Sequence, residues 1–179
     1  MNIPNFLTTI RFILIPIFIA IFYSPMKNNI VIATYIFILA GITDVLDGYI
    51  ARKYDMITKF GTVLDPLADK LMLITVLICF TDANFLPIWV ILVVGLKEIT
   101  MILGGIFLYY CGDKTVIPAN KYGKVATVSF YIAILSIAFH LNKIFSYALI
   151  ILAVIITIIA FINYVIGFNT KNKNINIDK

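Results

Sequence analysis

Residues 30–52 read IVIATYIFILAGITDVLDGYIAR, and residues 61–70 read GTVLDPLADK. The first stretch opens as an unbroken apolar run, close to the roughly 20 residues a helix needs to cross a bilayer core. It ends in two acids, Asp44 and Asp47, spaced three apart and so on one helical face. The second stretch opens the next apolar run with Asp65 and Asp69, four apart and again on one face. A chain that crosses a membrane in the first run and returns in the second brings all four carboxylates to one level. The short connection makes the two helices neighbours.

Four more apolar runs fill the rest of the chain. The expected spans are 7–23, 30–50, 62–81, 86–110, 123–141 and 144–168. Turn-like residues separate them, among them Ser24-Pro25, Asn28-Asn29 and Asn142-Lys143. Of 179 residues, 62% are hydrophobic, more than the half or so of a soluble domain. The expected fold is therefore all-α and polytopic, one membrane domain over 1–179 with a polar, disordered tail from Asn169. Continuous rather than alternating runs exclude a β-barrel. Arg11 interrupts the first run, and no small-residue cleavage site follows, so this run is expected as a retained helix.

The basic residues orient the chain. With both termini inside, ten fall on the inner side: Arg52, Lys53, Lys59, Lys70, Lys114, Lys121, Lys124, Lys171, Lys173 and Lys179. Only Lys27 and Lys143 fall outside, so the positive-inside bias places the acids at the cytoplasmic face of a cell membrane. Anionic lipid headgroups account for the net charge of +5 better than a nucleic acid does. Cys79 and Cys111 lie in or beside apolar runs without metal spacing and read as thiols.

Four close carboxylates repel one another in a poorly hydrated site, and protonation, basic partners or bound cations must offset that. Only oxygen ligands are on offer, with no clustered His or Cys. That selects hard ions such as Mg²⁺, Mn²⁺ or Ca²⁺ over zinc. A pair of such ions clamps a pyrophosphate during displacement at phosphorus. Gly48 and Gly61, each one turn from an acid, allow close approach of a ligand or a backbone. Helix caps or snorkelling explain one or two such acids, not four at these spacings. A divalent-cation transporter also uses intramembrane acids. It predicts them along a path rather than at one level, and it gives no reason for Gly48, Ala51, Arg52 and Gly61.

These residues carry a resemblance. Asp44, two residues, Asp47-Gly48, two residues, Ala51-Arg52, eight residues, Gly61, three residues, Asp65, three residues, Asp69 matches all eight fixed positions of the CDP-alcohol phosphotransferase pattern. The resemblance implies six transmembrane helices, often a homodimer, and a cytoplasmic metal site. It implies metal ligation by Asp44, Asp47, Asp65 and Asp69, with Asp69 also the general base. It places Gly48, Ala51, Arg52 and Gly61 against the CDP moiety.

Within the family the chain is most similar to the phosphatidylglycerophosphate synthases. The opening Pro4-Asn5-Phe6-Leu7-Thr8 with Arg11 resembles their N-terminal motif, which adds Asn5 and Thr8 to the CDP contacts. Two positions depart from that branch. An Arg-Glu pair is here Lys97-Glu98, and a Gly-Lys-x-Lys-Thr motif is here Gly123-Lys124-Val125-Ala126-Thr127. Lysine supplies charge to a phosphate but not the arginine fork. The acceptor phosphate is then expected on Arg11, Lys97, Lys121 and Lys124. The resemblance implies CDP-diacylglycerol and glycerol 3-phosphate as substrates, with phosphatidylglycerophosphate and CMP as products. The departures keep open a sibling acceptor, as in cardiolipin synthase or the inositol-phosphate and serine types. Tyr49, Tyr54, Tyr109 and Tyr110 read as interfacial aromatics. His140 lies near the outer end of its run, far from the acids, and takes no catalytic role.

Overall fold

The computed structural model describes the backbone of residues 3–54, 59–111 and 121–177, and the side chains of residues 6–51, 53–54, 64–65, 67–101 and 122–167. Among these there are six helices and no strand: α1 Ile3–Phe22, α2 Asn29–Lys53, α3 Lys59–Asp82, α4 Ile88–Cys111, α5 Lys121–Ala138 and α6 Lys143–Ile177. Each helix overlaps one of the expected apolar runs, though α5 stops at Ala138, short of the expected 141. Asn29–Ala51 and Lys143–Gly167 are long and apolar enough to cross a bilayer core, and Phe6–Phe22 and Tyr122–Ala138 are shorter apolar helices.

The turns follow from local chemistry. Asn29 opens α2, and its Nδ2 also donates to the carbonyls of Phe22 (2.6 Å) and Ser24 (3.0 Å), closing the end of α1. α3 ends with Asn84 at φ 61, its N–H donating to Thr81 O at 2.9 Å and that of Phe85 to Phe80 O at 2.9 Å. α5 ends the same way: His140 has φ 52, its N–H donates to Ile137 O at 2.9 Å, and that of Leu141 to Ser136 O at 3.0 Å. Both are left-handed Schellman caps, which satisfy carbonyls the helix leaves open. His140 thus has a backbone role at a helix end. α6 runs on to Ile177, so the stretch from Asn169 expected as a tail continues the helix; no Gly or Pro follows Gly167 to stop it.

The chain divides into two compact units, Met1–Pro87 and Ile88–Lys179. In the first, α1 packs along both α2 and α3, and α2 also meets α3. Ala33 and Ala40 on α2 are buried, and their small side chains let helices approach closely. At the end of α1 remote from Arg11, Phe22 stacks on Phe18 with centroids 5.7 Å apart and meets Phe80 of α3 at 5.4 Å. There Tyr23 Oη also donates to the Asp82 carboxylate at 2.8 Å. In the second unit α6 packs against α5 and α4. Tyr164 Oη of α6 donates to the Met101 carbonyl of α4 at 3.1 Å. Interhelical hydrogen bonds in a bilayer are modest, so Tyr164→Phe is expected to cost about 0.6 kcal/mol in detergent unfolding. A loss of several kcal/mol would show that this bond anchors the unit.

Among the described residues, long apolar strips are exposed. On α6, Ile151, Leu152, Ile155, Ile158, Ile159, Ile162 and Ile166 are exposed; on α4, Ile88, Leu92, Leu96 and Ile99. Strips of this length oppose solution in water and match a hydrocarbon surrounding.

Candidate active site

The site lies in the first unit, where three helices each contribute. Helical periodicity puts Asp44 and Asp47 on one face near the end of α2. The same rule puts Asp65 and Asp69 on one face near the start of α3. On α1, Thr8 and Arg11 are three apart and share a face as well.

Arg11 joins the three helices. Its side chain is 1% exposed. Nη1 donates to Asp44 Oδ1 at 2.5 Å and to the Asp65 carbonyl at 3.3 Å. Nη2 donates to Asp47 Oδ2. One turn earlier, Thr8 Oγ1 donates to Asp65 Oδ1. The carboxylates differ in exposure: Asp47 is 2% exposed and Asp44 38%. Asp65 and Asp69 are half-buried, and Asp69 is engaged by a neighbouring group. Beside Asp44, the Thr43 hydroxyl is turned back onto the Ala40 carbonyl at 2.7 Å, so it leaves the acids alone.

The sequence expects four carboxylates, Asp44, Asp47, Asp65 and Asp69, at one level; Arg11 holds those of Asp44 and Asp47 and reaches Asp65 through its backbone carbonyl. What the expectation missed is the direct grip of α1 on the acids. Arg11 was expected on an acceptor phosphate and Thr8 on a CDP moiety. The signal was present: Arg11 is the lone charge in the first apolar run, and a charge in such a run takes a partner.

The remaining candidates fall as follows. Gly48 and Ala51 are half-buried, in the turns of α2 just past Asp47. Beyond them Lys53 Nζ lies 5.4 Å from the Tyr49 ring centroid and 5.7 Å from that of Tyr54, an exposed cation–π pair of the kind interfacial aromatics make. Lys97 belongs to α4 in the second unit, where Nζ pairs with Glu98 Oε1 at 2.5 Å; their side chains are 11% and 7% exposed. Lys124 is exposed in the first turn of α5. The side chains of Asn5, Arg52 and Lys121, and the surroundings of Gly61, lie outside the described residues.

Among the described residues, no three Asp, Glu, His or Cys side chains form a ready metal cage. The donor set still fits a hard cation. It is all oxygen, and two of its carboxylates already hold a positive group, Arg11. Mg²⁺ needs only one or two carboxylates, because water and substrate phosphates complete its octahedron.

Comparison with known proteins agrees with this chemistry. A family model described as CDP-alcohol phosphatidyltransferase matches residues 1–159. A CDP-diacylglycerol–glycerol-3-phosphate 3-phosphatidyltransferase of Haemophilus influenzae is 37% identical over 169 residues, 91% of each chain. The protein of that name from Bacillus subtilis is 36% identical over 151 residues, 78% of this chain and 77% of its own. That from Blochmanniella floridana is 34% identical over 145 residues, 79% of this chain and 76% of its own. With the motif intact, its acids gathered on adjacent helices, and the match running over most of the sequence, the chain belongs to the CDP-alcohol phosphatidyltransferase family, a family of membrane transferases.

Proposed function

We propose that the chain is a CDP-diacylglycerol–glycerol-3-phosphate 3-phosphatidyltransferase, forming phosphatidylglycerophosphate and CMP. The observation that carries this reading is the gathering of Asp44, Asp47 and Asp65 around one guanidinium where α1, α2 and α3 meet. The names of the three relatives supply the acceptor. The positive-inside count supports six spans with both termini and the site facing the cytoplasm. A homodimer is proposed on the family resemblance alone.

The family's dependence on divalent cations supports Mg²⁺ or Mn²⁺, as two ions, at Asp44, Asp47, Asp65 and Asp69. Bound there, such ions neutralise the pyrophosphate and its developing charge. The chain's own residues do the rest. Asn5, Thr8, Gly48, Ala51, Arg52 and Gly61 line the CDP moiety, the glycines allowing its close approach. Arg11, Lys97, Lys121 and Lys124 take the acceptor's phosphate. Asp69 accepts the proton of the acceptor hydroxyl as its oxygen bonds to the phosphorus nearest the diacylglycerol. The bond from that phosphorus to the bridging oxygen breaks, and CMP leaves with its charge stabilised by Arg52.

The two departures, Lys97 for arginine and Ala126 for lysine, favour a second reading with another acceptor. Mass spectrometry of the lipid product decides between them. Purified protein with CDP-diacylglycerol and Mn²⁺ is offered glycerol 3-phosphate, phosphatidylglycerol, inositol phosphate or serine in turn. Phosphatidylglycerophosphate from the first, with little product from the rest, is expected. A product from one of the others alone moves the chain to a sibling activity.

A further inference from the structure

We propose that Arg11 competes with the divalent cation for Asp44 and Asp47, so that loading the cation drives the guanidinium off both carboxylates. The proposal rests on the reading of those aspartates as metal ligands. Arg11 holds Asp44 Oδ1 through Nη1 at 2.5 Å and Asp47 Oδ2 through Nη2. A metal taking the lone pairs that these N–H groups occupy would sit at about 2.0–2.1 Å from the oxygen, in the space the guanidinium fills. Two cations so close in a poorly hydrated site repel strongly. One must leave, and only the side chain is tethered.

The guanidinium is also incompletely satisfied where it lies. Its Nε is buried without a hydrogen-bond partner, so departure gives up no bond at that atom. Asp65 need not join the exchange, because its Oδ1 is held by Thr8 and only its backbone carbonyl accepts from Arg11. The displaced group keeps a planar, doubly donating fork, the shape that suits a phosphate. Arg11 thus couples filling of the carboxylate site to its own release as a phosphate-binding cation. The apparent metal affinity is lowered by the fraction of molecules in which Arg11 covers the acids.

The test uses the full-length chain purified in detergent, without lipid substrate. Free Mn²⁺ is followed by electron paramagnetic resonance during titration. Reaction of Arg11 with phenylglyoxal is read by mass spectrometry, in chelator and in saturating Mn²⁺. Arg11→Gln is expected to bind Mn²⁺ about tenfold more tightly than the unaltered chain. Arg11→Lys keeps the charge but not the two-pronged grip, and it is also expected to bind more tightly. Simple charge repulsion would instead leave Arg11→Lys like the unaltered chain. Labelling of Arg11, 1% exposed, is expected to rise several-fold with Mn²⁺.

Labelling that does not change with Mn²⁺ overturns the competition, as do variants that bind no more tightly. Because the labelling uses the unaltered chain, it decides even where a variant fails to fold. Asp47→Asn tests the premise separately. Undiminished Mn²⁺ affinity there removes Asp47 from the metal site, and the competition falls with it.

Discussion

Replacing Asp69 with Asn is expected to lower kcat by roughly 10²–10⁴-fold, the usual contribution of a positioned general base. Apparent affinity for CDP-diacylglycerol should change much less. Asparagine keeps the shape of the side chain and an oxygen donor, but it does not accept the acceptor's proton. Asp69 lies one helical turn beyond Asp65 on α3 and is half-buried, so part of it stays open to the reacting hydroxyl. Steady-state kinetics with varied CDP-diacylglycerol separates the two effects. Turnover near that of the unaltered chain would remove Asp69 from the base role. A large rise in KM with unchanged kcat would make it a binding residue instead.

Asp47→Ala is the second large effect, and it acts on stability as well as activity. Asp47 is 2% exposed and Arg11 1%. Removing the carboxylate leaves a buried guanidinium with half of its ion pairing, and breaking such a pair costs about 3–5 kcal/mol. Asp44→Ala should cost less. Asp44 is 38% exposed, and Arg11 then retains its buried partner. Denaturant unfolding in detergent, with chelator present, should rank Asp47→Ala as clearly less stable than Asp44→Ala. Equal and small losses would mean that the Arg11 bridge does not hold α1 to α2.

The acids were legible because helical periodicity is strict. Spacings of three and four fix Asp44 with Asp47, and Asp65 with Asp69, before any packing is known. Their meeting needed only a short connection and opposite helix directions. The helices themselves were legible from the apolar runs. The part played by Arg11 was not, because it depends on the rotation of α1 about its own axis, which apolar residues on every side of that helix leave unspecified. Carboxylate repulsion left protonation, a basic partner or a bound cation open; the oxygen-only donors pointed to a metal, whereas α1 brings an arginine to Asp44 and Asp47. The cap at His140 was hidden for another reason. A left-handed C-cap is usually glycine or asparagine, as at Asn84, and histidine gives no such signal. Lys97 and Lys124 stand in the second unit, and their proposed part in binding the acceptor rests on their charge.

In the proposed reaction this carboxylate cluster, with a divalent cation, moves a phosphatidyl group from CDP-diacylglycerol to glycerol 3-phosphate. The most direct test incubates purified protein with CDP-diacylglycerol, Mg²⁺ or Mn²⁺ and labelled glycerol 3-phosphate, with and without chelator. Labelled phosphatidylglycerophosphate with matching CMP release, both abolished by chelator and restored by added metal, is the predicted result. Label in the lipid that persists undiminished in chelator would contradict the metal chemistry, and CMP release without labelled lipid would contradict the acceptor.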